Sequence, residues 1–98
     1  MHVITKTRLV EFGRQHPDAM PSLRAWLRIM REARYAGSNA VKRDFASVSF
    51  LGDGRTVFNI AGNKYRLVVD IRYRVGRVYV RHIATHAEYD RLTKAKAL

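Results

Sequence analysis

The sequence predicts an α+β domain: a small antiparallel sheet with two N-terminal helices packed on one face and a short C-terminal helix. Three features carry this expectation. Residues 56–84 contain three β-branched and aromatic runs separated by turn residues. Residues 18–33 repeat apolar side chains at three- and four-residue intervals. Thr85 and Glu88 are spaced as a capping box, in which a hydroxyl and a carboxylate satisfy the orphan backbone N–H groups of a helix start. The 98 residues suffice for one domain, 1–98, with one core, and the absence of cysteine excludes disulfides and cysteine-ligated metal sites.

In chain order, His2 to Ile4 is a short β-branched run, read as a strand added beside the other three. Thr5 is expected to cap a first helix that buries Leu9, Phe12 and Val10, weakens at Gly13 and ends before Pro17. Asp18 is expected to start a second helix with Pro21 in its first turn and Leu23, Trp26, Leu27, Met30 and Ala33 along its buried stripe. Trp26 then anchors a core. The opposite face carries Arg24, Arg28, Arg31 and Arg34, either a solvated face or an RNA contact. Gly37-Ser38-Asn39 breaks the helix, Asn39 caps a short one to Phe45, Ala46 to Leu51 forms a strand, and Gly52-Asp53-Gly54 turns the chain.

The meander follows as Thr56–Ile60, Lys64–Tyr73 and Arg77–Ala84. Alternation puts Phe58, Ile60, Tyr65, Leu67, Val69, Ile71, Val78, Val80 and Ala84 on a core face, with His82 and Tyr65 counted as structural. Asn59, Lys64, Arg66, Asp70, Tyr79, Arg81 and Thr85 fall on the open face. With tight turns at Gly62-Asn63 and Val75-Gly76, Asn59 lies opposite Arg66, Arg66 opposite Thr85, and Asp70 opposite Arg81. The capped helix continues from Arg91 to Leu98, with Lys94 and Lys96 near its end, where cations suit the dipole.

Net charge is +11, with a sequence pI near 10.9. Residues 1–54 hold nine basic against five acidic residues (+4), and residues 55–98 hold ten against three (+7). Such a field attracts phosphate backbones, so nucleic acid is the first partner to consider. Met1 to Val10 lacks a signal-peptide pattern, and no apolar run approaches the roughly 20 residues of a membrane span. The expectation is a cytoplasmic protein without membrane contact. Scattered histidines give no metal-ligand spacing, there is no phosphate-binding glycine loop, and nothing requires a cofactor.

The cap leaves His86, Tyr89 and Asp90 unexplained. His86 and Asp90 are four apart and can touch, and an imidazole exchanges protons near neutrality. Metal-free RNA cleavage needs a base for the 2′-hydroxyl, cations at the phosphate and an acid for the leaving 5′-oxygen. The candidates for that chemistry are His86, Lys64, Arg66, Arg81 and Tyr89. Candidate RNA contacts are Asn59, Thr85, Asp90, Arg72 and Lys94. Each has a plainer reading: Arg81 paired with Asp70, Tyr89 packed on Leu92, His86 a surface residue of a first turn.

The motifs Met1-His2-Val3-Ile4, His16-Pro17-Asp18, Leu23-Arg24-Ala25-Trp26, Val57-Phe58-Asn59-Ile60, Gly62-Asn63-Lys64-Tyr65-Arg66-Leu67 and Thr85-His86-Ala87-Glu88-Tyr89-Asp90 resemble the HigB toxins of bacterial toxin–antitoxin modules across nearly the whole chain. The resemblance implies a RelE-like fold whose open sheet face meets RNA, and cleavage of messenger RNA on the ribosome. It also implies neutralisation by a HigA-like helix-turn-helix antitoxin, with operator DNA met only through the toxin–antitoxin complex. Lys64, Arg66, Arg81, His86 and Tyr89 match positions that handle RNA in that family, whereas His82 stands where an apolar residue such as Phe is expected. Two rivals remain: a module that docks on RNA or the ribosome without cutting, and a DNA-binding repressor subunit, for which no compact helix-turn-helix spacing is present.

Overall fold

A computed structural model describes residues 1–95, so Lys96 and the last two residues lie outside the described residues. The elements are β1 (His2–Ile4), α1 (Thr7–Gln15), a 3-10 turn (Pro17–Ala19), α2 (Met20–Glu32), α3 (Ser38–Asp44), β2 (Ser49–Gly52), β3 (Arg55–Ile60), β4 (Tyr65–Arg72), β5 (Arg77–Thr85) and α4 (His86–Lys94). Among the described residues no helix is long and apolar enough to cross a membrane.

The strands form one sheet in the order β1-β5-β4-β3-β2. The expected meander is its centre, and β1 adds beside β5. That added pair is parallel, the exception in an otherwise antiparallel sheet. The helices α1 and α2 intervene between β1 and the meander and supply the long crossover that parallel pairing demands.

Three expected caps differ from the structure. Thr5 has φ of 72°, in the left-handed region, and the residue before α1 is Lys6, without a side-chain cap. Asp18 sits inside the 3-10 turn, and its carboxylate is drawn away to Tyr65 and Lys64. Asn39 lies one residue inside α3, which Gly37 precedes without a side-chain bond. The capping box of α4 is present: Glu88 N donates to Thr85 Oγ1 and Thr85 N donates to Glu88 Oε1, both at 3.2 Å.

The core lies between the sheet and the two N-terminal helices. Leu9 and Phe12 from α1 and Leu23, Trp26 and Met30 from α2 meet Phe58, Ile60, Tyr65, Leu67, Val69, Ile71, Val78 and Val80. Trp26 packs edge-on to Phe58 at 5.6 Å between ring centroids, and Phe45 meets the same ring at 4.8 Å. Val10, one position off the α1 stripe, is exposed.

Pairing between the strands confirms one part of the expected register and corrects another. Asn59 pairs with Arg66. The first turn spans four residues, 61–64, but its centre is unchanged, so that pair survives. The second turn also spans four residues, 73–76, but its centre lies one residue earlier than expected, with Gly76 N donating to Arg72 O at 2.9 Å. Asp70 therefore lies opposite Tyr79 rather than Arg81. A β-bulge then intervenes: Val69 pairs with Val80, but Val68 pairs with His82, leaving Arg81 as the extra residue.

Beyond the bulge the parity of β5 reverses. Ile83 pairs with Leu67 and joins the core, whereas His82 and Ala84, expected on the core face, lie across from Val68 and Arg66 on the open face. Arg66 thus faces Ala84, and Thr85 faces Tyr65.

Candidate nucleic-acid interface

The open face contains two clusters of cations, one at each side of its middle. The first is at the end of the sheet where α4 begins. His86 N donates to Lys64 O at 3.0 Å, which holds the start of α4 against the hairpin that presents Lys64 and Arg66. His86 Nδ1 lies 3.2 Å from Asp90 Oδ2, the one-turn contact expected from their spacing. That contact orients the ring and leaves Nε2 without a protein partner among the described residues. Arg66 Nη1 donates to Asn63 O at 3.1 Å, and its guanidinium carbon stands 6.0 Å from the centre of the Tyr89 ring. Cation and aromatic ring thus meet beside the N-terminus of α4, whose first residue is His86, an arrangement that suits an anion beside an unpaired base.

Lys64 is more constrained than the sequence indicated. Its Nζ lies 3.1 Å from Asp18 Oδ2, and Tyr65 OH donates to Asp18 Oδ1 at 2.7 Å. The Tyr65 hydroxyl and, after it, Lys64 hold the Asp18 carboxyl below the usual carboxylate range. Both Lys64 and Asp18 remain largely exposed, so an arriving phosphate can compete for the ammonium.

The second cluster centres on Asp70. Arg55 donates to both carboxylate oxygens, Nε to Oδ1 at 2.7 Å and Nη2 to Oδ2 at 3.1 Å. Arg81 Nε approaches Oδ2 at 3.5 Å. These cations, Arg55 foremost, keep the Asp70 carboxyl well below the usual carboxylate range although the residue is buried. Arg8 of α1 donates through Nη1 to Arg81 O, fastening the bulge to the helix. His82 lies beside them, and burial, then Arg81, Arg8 and Arg55, push its imidazole toward the neutral form.

Arg66 and Arg81 therefore share the open face but not one spot. The bulge seats Arg81 between the rows of Val68 and Val69, and its guanidinium turns further from Arg66, to Asp70. His86 belongs with Arg66. Asn59 adjoins Arg66 across β3, Thr85 is committed to the cap, and Lys94 is exposed in the last turn of α4. Arg72 donates to Asp53 O at 2.9 Å at the far end of the sheet. Sequence reasoning missed Arg8, Arg55, Asp18 and the orientation of His82. One signal was available: Arg81-His82 places two polar residues together in a run that otherwise alternates, the mark of a bulge.

Residues 19–92 match the family described as HigB toxin, the RelE-like toxic component of a toxin-antitoxin system. The chain is 29% identical over 96 residues to the mRNA interferase HigB of Escherichia coli O6:H1, covering 96% of this chain and 93% of that protein. It is 28% identical over 95 residues to the mRNA interferase toxin HigB of Escherichia coli strain K12, covering 95% and 91%. The mRNA interferase HigB of Shigella flexneri matches to the same extent.

Proposed function

This chain belongs to the HigB toxin family of RelE-like toxin–antitoxin components, and from that premise we propose that it is an endoribonuclease that cuts messenger RNA on the ribosome, held in check by a HigA-like antitoxin. The names of its relatives, mRNA interferases, support the substrate. The observation that carries the reading is the start of α4, where a guanidinium and an aromatic ring meet and the first helical residue is an imidazole oriented by Asp90, in the more basic half of the chain.

In this reading a base removes the 2′-hydroxyl proton, the 2′-oxygen bonds to phosphorus, and the bond to the 5′-oxygen breaks as an acid protonates it. The products are a 2′,3′-cyclic phosphate and a 5′-hydroxyl. His86 Nε2 and Lys64 Nζ are the proton-transfer groups, with Asp90 orienting His86. Arg66 stabilises the charge that builds on the phosphate, and the α4 N-terminus adds its dipole. Tyr89 stacks on a base or donates to the phosphate, and Asn59 and Lys94 contact the chain nearby. Arg81 and Arg72 act further along the same face as RNA contacts.

The test is incubation of purified protein with ribosomes and message, with 5′-ends mapped. Cuts that fall by about 10²-fold or more in His86→Ala and Arg66→Ala support the enzyme, in line with the usual weight of general acid–base catalysis. Stalled ribosomes with intact message would establish a module that blocks without cutting. Cleavage undiminished in both variants would refute the assigned centre.

A further inference from the structure

We propose that the β5 bulge builds a second phosphate subsite, formed by Arg8, Arg81 and His82, that holds the RNA backbone about one nucleotide along from the phosphate at Arg66. The inference rests on the RNA-cleaving function proposed above and names how the same face grips its substrate.

Regular alternation would turn His82 into the core. The bulge instead puts His82 and Arg81 on the open face together, and the exposed Arg8 side chain reaches their backbone from α1. A groove at this point is lined by Arg8, Val80, Arg81 and His82. Asp70 steadies Arg81 from below, and Arg55 supplies the rest of that carboxylate's bonding, so Arg81 keeps N–H groups for a ligand. The imidazole, favoured in its neutral form, can donate one N–H without adding to the crowd of charge. Glu11 is the one acid in the adjoining hollow, which Arg8 and His82 also line.

Spacing favours a nucleic-acid backbone over an isolated anion. Arg66 pairs with Ala84 and Val68 pairs with His82, so the two rows lie two residues apart, about 7 Å along the strands. That is close to the interval between neighbouring phosphates of an extended single strand. In the His82 row Val57 and Val68 pair with each other and are buried outside the helix-covered core. The floor beside His82 is therefore apolar.

The probe is a 2′-O-methyl RNA oligonucleotide, which lacks the attacking hydroxyl and survives intact. A series carries one uncharged methylphosphonate at each position in turn, and binding is read by fluorescence anisotropy. Wild-type protein is expected to lose about three- to fivefold in affinity at each of two neighbouring positions, the size of an exposed charge contact. In Arg8→Gln and His82→Phe the loss at one of these positions disappears and the other remains. In Arg66→Ala the loss at the other position disappears and the first remains. The salt dependence of Arg8→Gln and of Arg66→Ala falls by the slope of about 0.7 that one single-strand phosphate carries, whereas His82→Phe, which removes a neutral donor, leaves the slope unchanged.

If His82→Phe fails to fold, Arg8→Gln reads the same position alone. Variants that keep the full wild-type profile, or that weaken every position equally, overturn the subsite while leaving the cleavage reading in place. Wild-type protein that neither binds the oligonucleotide nor cuts RNA overturns both.

Discussion

Replacing Asp70 by Asn isolates the electrostatic contribution of the open face, because volume is kept and charge is lost. In the wild-type protein Asp70, with its side chain only 8% exposed, accepts two short bonds from Arg55 and a longer approach from Arg81. Breaking a fully buried pair costs about 3–5 kcal/mol. Here the Arg55 and Arg81 side chains are 24% and 49% exposed and regain water, which lowers the expectation to about 2 kcal/mol. For a domain of this size that lowers Tm by about 8–16 °C at pH 7, measured by thermal unfolding followed by circular dichroism. The folded-state pKa of Asp70 is depressed, so its contribution is complete above the ordinary carboxylate range near 4 and is lost as pH falls through the lower folded value. The gap between wild type and variant therefore narrows on acidification. Equal stability at pH 7, or a gap that stays constant down to pH 3, would refute the assignment of this stability to charge pairing.

Three further outcomes follow from packing and backbone geometry. Thr85→Ala removes one arm of the capping box and costs about 1 kcal/mol in urea unfolding, with α4 losing amide protection before the sheet does. Trp26→Ala opens a cavity beneath Phe58 and costs about 3–5 kcal/mol, enough to leave the protein largely unfolded at growth temperature in a thermal scan. Gly54 has φ of 82°, and a Cβ there would stand 2.4 Å from the backbone oxygen of Ile71, to whose N–H Gly54 O is bonded; Gly54→Ala is expected to cost more than about 1 kcal/mol by chemical denaturation, and an unchanged midpoint would count against the turn geometry.

Local periodicity made much of the fold legible. Alternation through Phe58, Ile60, Tyr65, Leu67, Val69 and Ile71 identified the core face of β3 and β4, and the α2 stripe identified what covers it. The contact between His86 and Asp90, and the cap between Thr85 and Glu88, are within one helical turn and were readable for the same reason. Bonds that join distant parts of the chain were not readable. Asp18 meets Tyr65 across 47 residues, and Arg8 meets Arg81 across 73. No short-range pattern encodes either.

Composition, side-chain period and one capping motif were thus enough to set the class of fold, the basic character of the chain and the cap and His86–Asp90 contact at the start of α4. Their signals are spent within a few residues, where backbone geometry is the same whatever lies elsewhere. The pairing of β4 with β5 was settled in three dimensions, because a turn centred one residue earlier and one extra residue at Arg81 shift every partner beyond them. That shift brought His82 out of the core, since alternation along a strand knows nothing of the strand beside it.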